Sequence, residues 1–171
     1  MSGPKVVSRR ALAAVLALTA VLALAGSKPR EPAPRFTART MSGESFNNQS
    51  LKGKVVLLQF WTTWCQVCAG EQQLVDEIDK EFAPKGLVVL AVDVGESKKT
   101  VKRFLEKNPR TVRIVLTDDT NLAAMYAATQ YPIYVVIDRE GNIAAMQRGG
   151  GGESNLRGLL SRAGLESEEE E

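Results

Sequence analysis

Cys65 and Cys68 are the only thiols in the 171-residue chain, and Gln66 and Val67 separate them. A Cys-x-x-Cys pair has three chemistries open to it: reversible dithiol–disulfide exchange, a structural crosslink, or part of a metal site. A crosslink over so short a loop restricts the unfolded chain little. Two thiolates half-fill a four-ligand zinc site, and the sequence has no histidine, so carboxylates or a second chain would have to complete it. The lack of histidine also excludes a Ser-His-Asp triad and a Cys-His pair. Ala69 follows Cys68, which excludes covalent haem attachment. No cofactor and no metal are expected.

The surroundings of the pair favour exchange. Residues 54–61 (KVVLLQFW) form a nearly continuous apolar run, as expected of a central strand covered on both faces. Residues 66–83 then place Val67, Leu74, Ile78 and Phe82 among polar residues at helical spacing, with Pro84 and Gly86 beyond. The cysteines thus stand where a strand gives way to a helix. Unpaired N–H groups at a helix start stabilise a thiolate, so Cys65 is the expected low-pKa, exposed, attacking sulfur. Cys68, one turn inside, is the shielded sulfur that resolves the mixed disulfide.

Other residues group around this pair. Trp64 offers a flat apolar surface for a docking partner, whereas Trp61, ending the strand, reads as core. Glu71 lies three residues after Cys68, on the same side of the helix, and is placed either to hold the resolving cysteine's proton or simply to favour the helix dipole. Pro132 follows Tyr131 and precedes an apolar run. It is either a plain strand-entry proline or a cis proline that exposes backbone for a substrate strand. Asp93 ends another buried run; capping the next loop suits it better than facing the dithiol. Residues 149–152 are four glycines without the lysine of a phosphate loop, and read as a flexible join.

The remaining elements follow from periodicity and punctuation. Residues 36–40 form a short strand turned back by Ser42-Gly43-Glu44. Residues 87–92, 112–116, 133–137 and 143–147 are further strands, the last two joined by a tight turn and so antiparallel. Ser97 caps a helix carrying Val101, Phe104 and Leu105; Asp118 or Asp119 caps a short one carrying Leu122, Met125 and Tyr126; residues 153–163 form a last helix with Leu156, Leu159 and Leu160 inward, stopped at Gly164. The order predicts an α/β domain with two layers of helix around a mixed sheet.

The ends of the chain are different. Residues 1–26 carry Lys5, Arg9 and Arg10 ahead of a 16-residue uncharged run ending Ala23-Leu24-Ala25-Gly26. That is the pattern of a cleaved signal peptide, or of a retained anchor slightly short of the usual span. Either places the domain, read as residues 36–164, outside the cytoplasm. Residues 27–35 (SKPREPAPR) read as a linker, and residues 165–171 as a solvated acidic tail. The formal charge is +2; without Lys5, Arg9 and Arg10 the remaining 19 basic and 20 acidic residues give −1. No nucleic-acid partner is expected.

These stretches together resemble the TlpA/ResA-like thiol–disulfide oxidoreductases of the thioredoxin superfamily. The resemblance is carried by APRFTARTMSGESFNNQSLKGKVVLLQFWTTWCQVCAGE, VVLAVDVGESKKTVKRFLEK and YPIYVVIDREGNI, and covers about residues 33–162. It implies a thioredoxin-like fold, a central mixed sheet flanked by helices with an N-terminal β-hairpin extension. It implies that Cys65 is the nucleophile, Cys68 the resolving cysteine, Glu71 the active-site glutamate and Pro132 the cis proline. Val94-Gly95-Glu96-Ser97 is similar to the branch that reduces the haem-binding cysteines of apocytochrome c with electrons from a membrane thiol–disulfide carrier. Relatives commonly have proline where this chain has Val67, and a smaller residue where it has Tyr131.

The expected protein is therefore a monomeric, extracytoplasmic reductase of disulfides in exported proteins. Its substrate-binding residues are Trp64, Tyr131 and Pro132. Two other functions fit the same residues: a disulfide oxidase or isomerase, and a redox-inert binding module.

Overall fold

The computed structural model describes residues 30–167. The signal-or-anchor reading of residues 1–26, the first residues of the linker and the last four of the acidic tail lie outside them.

A hairpin opens the domain: β1 (Thr37–Thr40) and β2 (Ser45–Asn47), turned at Gly43, whose φ of +96° suits glycine. β3 (Val55–Trp61) follows, with all seven residues buried. It leads into α1 (Gln66–Phe82), which ends in the single 3₁₀ turn Ala83–Lys85. Then come β4 (Leu87–Asp93), α2 (Lys98–Lys107), β5 (Arg113–Thr120), the one-turn α3 (Leu122–Met125), β6 (Ile133–Ile137), β7 (Ile143–Arg148) and α4 (Gly152–Ser161).

The strands make one seven-stranded sheet in the order β2-β1-β5-β4-β3-β6-β7. β3, β4 and β5 are parallel, as helical crossovers require. β6 runs antiparallel to β3, and β7 antiparallel to β6. Side-chain alternation along β3 divides the core. Val55, Leu57 and Trp61 face α1, α2 and α4, against Ile78, Phe82, Val101 and Leu160. Val56, Leu58 and Phe60 face the opposite side, where Phe36, Leu51 and the short α3 cover the sheet. The second helical layer of the sequence reading is thus one helical turn plus the N-terminal segment. The thioredoxin-like architecture with its N-terminal hairpin is as expected.

Several local expectations need correction. The buried stripe of α1 is Cys68, Glu71, Val75, Ile78, Asp79 and Phe82, leaving Val67 53% exposed. The apolar periodicity misplaces the face because two acidic residues lie on it. β5 runs on through Asp118 and Asp119 because Thr120 pairs with Ala38 of the hairpin, so neither aspartate caps α3. Asn121 precedes that helix, and its side chain bonds instead to the Arg35 carbonyl and the Thr37 amide. Met125 points out of the core. Glu31, Pro32 and Ala33, read as spacer, lie along the β6–β7 turn: Ala33 N–H donates to Gly141, Ile143 N–H donates to Glu31, and Pro32 bridges Asn142. Their backbone finds partners even though their composition offers little to bury.

Leu57 is fully enclosed at the centre of β3. Leu57→Ala is expected to cost about 2–5 kcal/mol of stability through lost transfer energy and the cavity left behind. Urea unfolding monitored by tryptophan fluorescence measures this, and a loss under about 1 kcal/mol would contradict the packing described.

Candidate active site

Cys65 is the N-cap of α1, and its Sγ accepts a hydrogen bond from the Cys68 N–H at 3.1 Å. One of the unpaired amides of the helix start is therefore met by sulfur. The two cysteines form a disulfide, with their Cα atoms 5.2 Å apart. Cys65, expected to be exposed, is only 7% exposed, and Cys68, expected to be shielded, is fully buried. Cys65 is the less enclosed of the two, but it does not present the open sulfur expected of it.

The turn before the cap is pinned from β4's side. Glu96 accepts from both the Thr63 N–H and the Thr63 hydroxyl at 2.6 Å, which ties Thr62-Thr63-Trp64 to the loop after β4. From β5, Thr117 donates to the Asp93 carbonyl at the end of β4 and accepts from the Gly95 N–H in the loop. The Asp93 carboxyl is buried at the end of β4, beside Glu96 of the following loop. Burial, and then the neighbouring Glu96 carboxylate, push Asp93 up to about 8. Burial raises the Tyr131 phenol as well, and Asp93 adds to it.

Antiparallel pairing brings the other residues to the same end. Phe60 is opposite Ile133, so the entry to β6 lies beside the exit from β3. The Tyr131–Pro132 bond is cis. Trp64 is 68% exposed and meets Tyr131 edge-on, ring centres 5.8 Å apart. Trp61 is fully buried against Phe104 and belongs to the core, as its strand position suggested. The Pro132 carbonyl already accepts from the Gly149 N–H, which takes it away from any substrate strand.

Glu71 is 9% exposed. One carboxylate oxygen accepts from the N–H groups of Gly151 and Gly152, both at 2.8 Å, and the other from the Tyr134 hydroxyl at 2.7 Å. The glycine run is therefore a built cradle, not a flexible join. A Cβ on Gly150 would lie 2.7 Å from Val67 Cγ1 and 2.9 Å from a Glu71 oxygen. The carboxylate sits at the positive end of α4. Sequence reading passed over Tyr134, Gln59 and Glu96 as site residues. A lone glutamine in the apolar run KVVLLQFW was the available signal for Gln59, because a buried amide needs partners.

Redox chemistry on a thioredoxin fold is the class these features define. A family model described as AhpC/TSA family matches residues 29–146. Thioredoxin-like protein YneN of Bacillus subtilis is 36% identical over 121 residues, 69% of this chain and 70% of that one. Thiol-disulfide oxidoreductase ResA of the same organism is 31% identical over 129 residues, 75% and 72% of the two chains. Among solved structures, a thiol:disulfide interchange protein of the thioredoxin family from Chlorobium tepidum superposes with a TM-score of 0.69 at 24% identity, covering 81% of this chain and 99% of that one. The chain belongs to the AhpC/TSA family and, within it, is a thiol–disulfide oxidoreductase related to ResA.

Asp93 titrates near 8 in the fold and near about 4 when unfolded, so between those values the folded state binds the extra proton. Asp93's contribution to stability is full below about pH 4 and falls as pH rises towards 8. Asp93→Asn is expected to flatten this dependence and to gain at least about 1 kcal/mol at pH 8 relative to the parent. Urea unfolding at about pH 5 and pH 8 measures the change; parallel losses in both proteins would contradict it.

Proposed function

We propose that the protein reduces disulfides in exported proteins outside the cytoplasm, with Cys65 as nucleophile and Cys68 as resolving cysteine. The observation that carries this is the asymmetry of the pair: Cys65 caps the helix and keeps an accessible edge, whereas Cys68 is sealed beneath it. In the dithiol form, the Cys65 thiolate attacks one sulfur of the substrate disulfide. A Cys65–substrate disulfide forms, and the other substrate sulfur leaves as a thiolate. Cys68 then loses its proton to Glu71 and attacks Cys65 Sγ. The intramolecular disulfide closes and the second substrate sulfur leaves, so the substrate gains the two electrons that the dithiol gives up.

Trp64, Tyr131 and Pro132 form the docking face in this reading. The tryptophan and tyrosine rings supply apolar contact beside the reacting sulfur. The Tyr131 N–H and C=O make no backbone hydrogen bond with other described residues, which suits pairing with an extended substrate. The basic flank and apolar run of residues 1–26 support an extracytoplasmic site of action. Val94-Gly95-Glu96-Ser97 supports apocytochrome c as substrate, with a membrane thiol–disulfide carrier returning electrons to Cys65–Cys68.

Cys68→Ala is expected to trap Cys65-linked substrates in cells, and mass spectrometry of the adducts identifies the substrate class. Cys65→Ser should abolish them. A reductase should have a potential well below about −120 mV, the value of a strong oxidant. Equilibration with glutathione reads it, and a value near that of the oxidant would assign the opposite direction of electron flow.

A further inference from the structure

Beneath the disulfide a file of polar side chains crosses the core. Arg110 Nη2 donates to Gln59 Oε1 at 3.4 Å, Gln59 Nε2 donates to the Tyr134 hydroxyl at 3.3 Å, and that hydroxyl donates to Glu71 at 2.7 Å. Gln59 and Tyr134 are fully buried, and the Arg110 side chain is 1% exposed. The two middle members are cross-strand partners in the β3–β6 register, so the sheet itself aligns them.

The direction of the file is dictated by chemistry. A guanidinium has donors only, so the amide oxygen of Gln59 must face Arg110 and its NH₂ must face Tyr134. The tyrosine oxygen thereby accepts, and its one proton is left for the Glu71 carboxylate, which can only accept when ionised. Asp76 holds the far end, accepting from Arg110 Nε at 2.9 Å. The three bonds from Arg110 to Glu71 all donate towards Glu71, and bonds aligned head to tail in a low-dielectric interior polarise one another.

We propose that Tyr134 is a positioning residue for Glu71, held in its donating orientation by Gln59 and Arg110, so that a buried guanidinium three hydrogen bonds away sets the protonation behaviour of Glu71 during exchange. This rests on the reading of Glu71 as the proton partner of Cys68. The ionisable groups facing Glu71 are Cys68 on its own helix, Tyr134 from β6, and Arg110 with Asp76 beyond Gln59. The loop before α4 contributes backbone N–H groups. Burial, and then donation to Glu71, keep the Tyr134 phenol far above the ordinary tyrosine range, so it serves as a neutral donor. Tyr134→Phe keeps the ring and removes one of the bonds to the carboxylate. The proton-accepting form of Glu71 is then favoured only at higher pH.

The reduced protein reacting with 5,5′-dithiobis(2-nitrobenzoate) separates the two sulfurs. Cys65 attack releases one thionitrobenzoate, and Cys68 attack on the Cys65 mixed disulfide releases the second. The pH profile of the second release is measured for the parent, Tyr134→Phe, Glu71→Gln and the double variant. The midpoint for Tyr134→Phe is expected to move up by about one pH unit or more. On the Glu71→Gln background the same substitution should move nothing. A Tyr134→Phe profile that overlays the parent, with that of Glu71→Gln altered, overturns this inference and leaves the role of Glu71 standing. An unaltered Glu71→Gln profile overturns both. Arg110→Met, at the far end of the file, is expected to shift the midpoint in the same direction by less. It decides the matter if Tyr134→Phe does not fold, and no shift in it then overturns the inference.

Discussion

The first turn of α1 begins with backbone N–H groups that no helical carbonyl reaches, and the side chain that meets one of them is a cysteine. A polarisable sulfur is held against a donor at the positive end of a seventeen-residue helix. That placement needs a strand that ends one turn earlier, and β3 supplies it, rigid because it is buried on both faces between β4 and β6. It also needs the intervening turn to stay put. Glu96 does this from the neighbouring loop by taking both donors of Thr63.

The sheet's mixed pairing decides what else reaches the sulfurs. A parallel neighbour exits at the same end as β3, which brings the loop after β4 and its Glu96. An antiparallel neighbour enters there, which brings Tyr131 and the cis Pro132. β7, antiparallel again, exits there and delivers the glycine cradle and the start of α4. Three separated segments converge on one helix terminus because β4 runs parallel to β3 while strand direction alternates across β3, β6 and β7.

Four polar side chains in the helix-facing half of the core are tied in series. Arg110, Gln59, Tyr134 and Glu71 are linked each to the next by a hydrogen bond. A buried carboxylate without donors would be costly; this one has three, two of them the backbone amides of Gly151 and Gly152, beside Gly150, where a Cβ would crowd the carboxylate. Val67 fits the same geometry, since its side chain lies over Gly150 where no Cβ intrudes.

Much of this could be read along the chain. The strand run before Cys65, the helix after it, the hairpins at Gly43 and Gly141, and the order of elements are local signals, since apolar period and turn chemistry act over a few residues. The roles expected of Trp61 and Trp64 also followed from position alone, one ending a buried strand and the other next to the cap. What could not be read was anything resting on partners distant in sequence. Asp118 and Asp119 look like caps until Thr120 pairs with Ala38. Val67 looks apolar-faced until the buried stripe proves to include Glu71. The glycines look flexible until a carboxylate from eighty residues earlier is found among them. Sequence by itself determined the reacting pair and the elements that carry it, because those depend on neighbours in the chain. Only the tertiary structure decided how Glu71 is held and from which direction, because hydrogen bonds between β3, β6, α1 and the start of α4 exist only once the sheet has set their register.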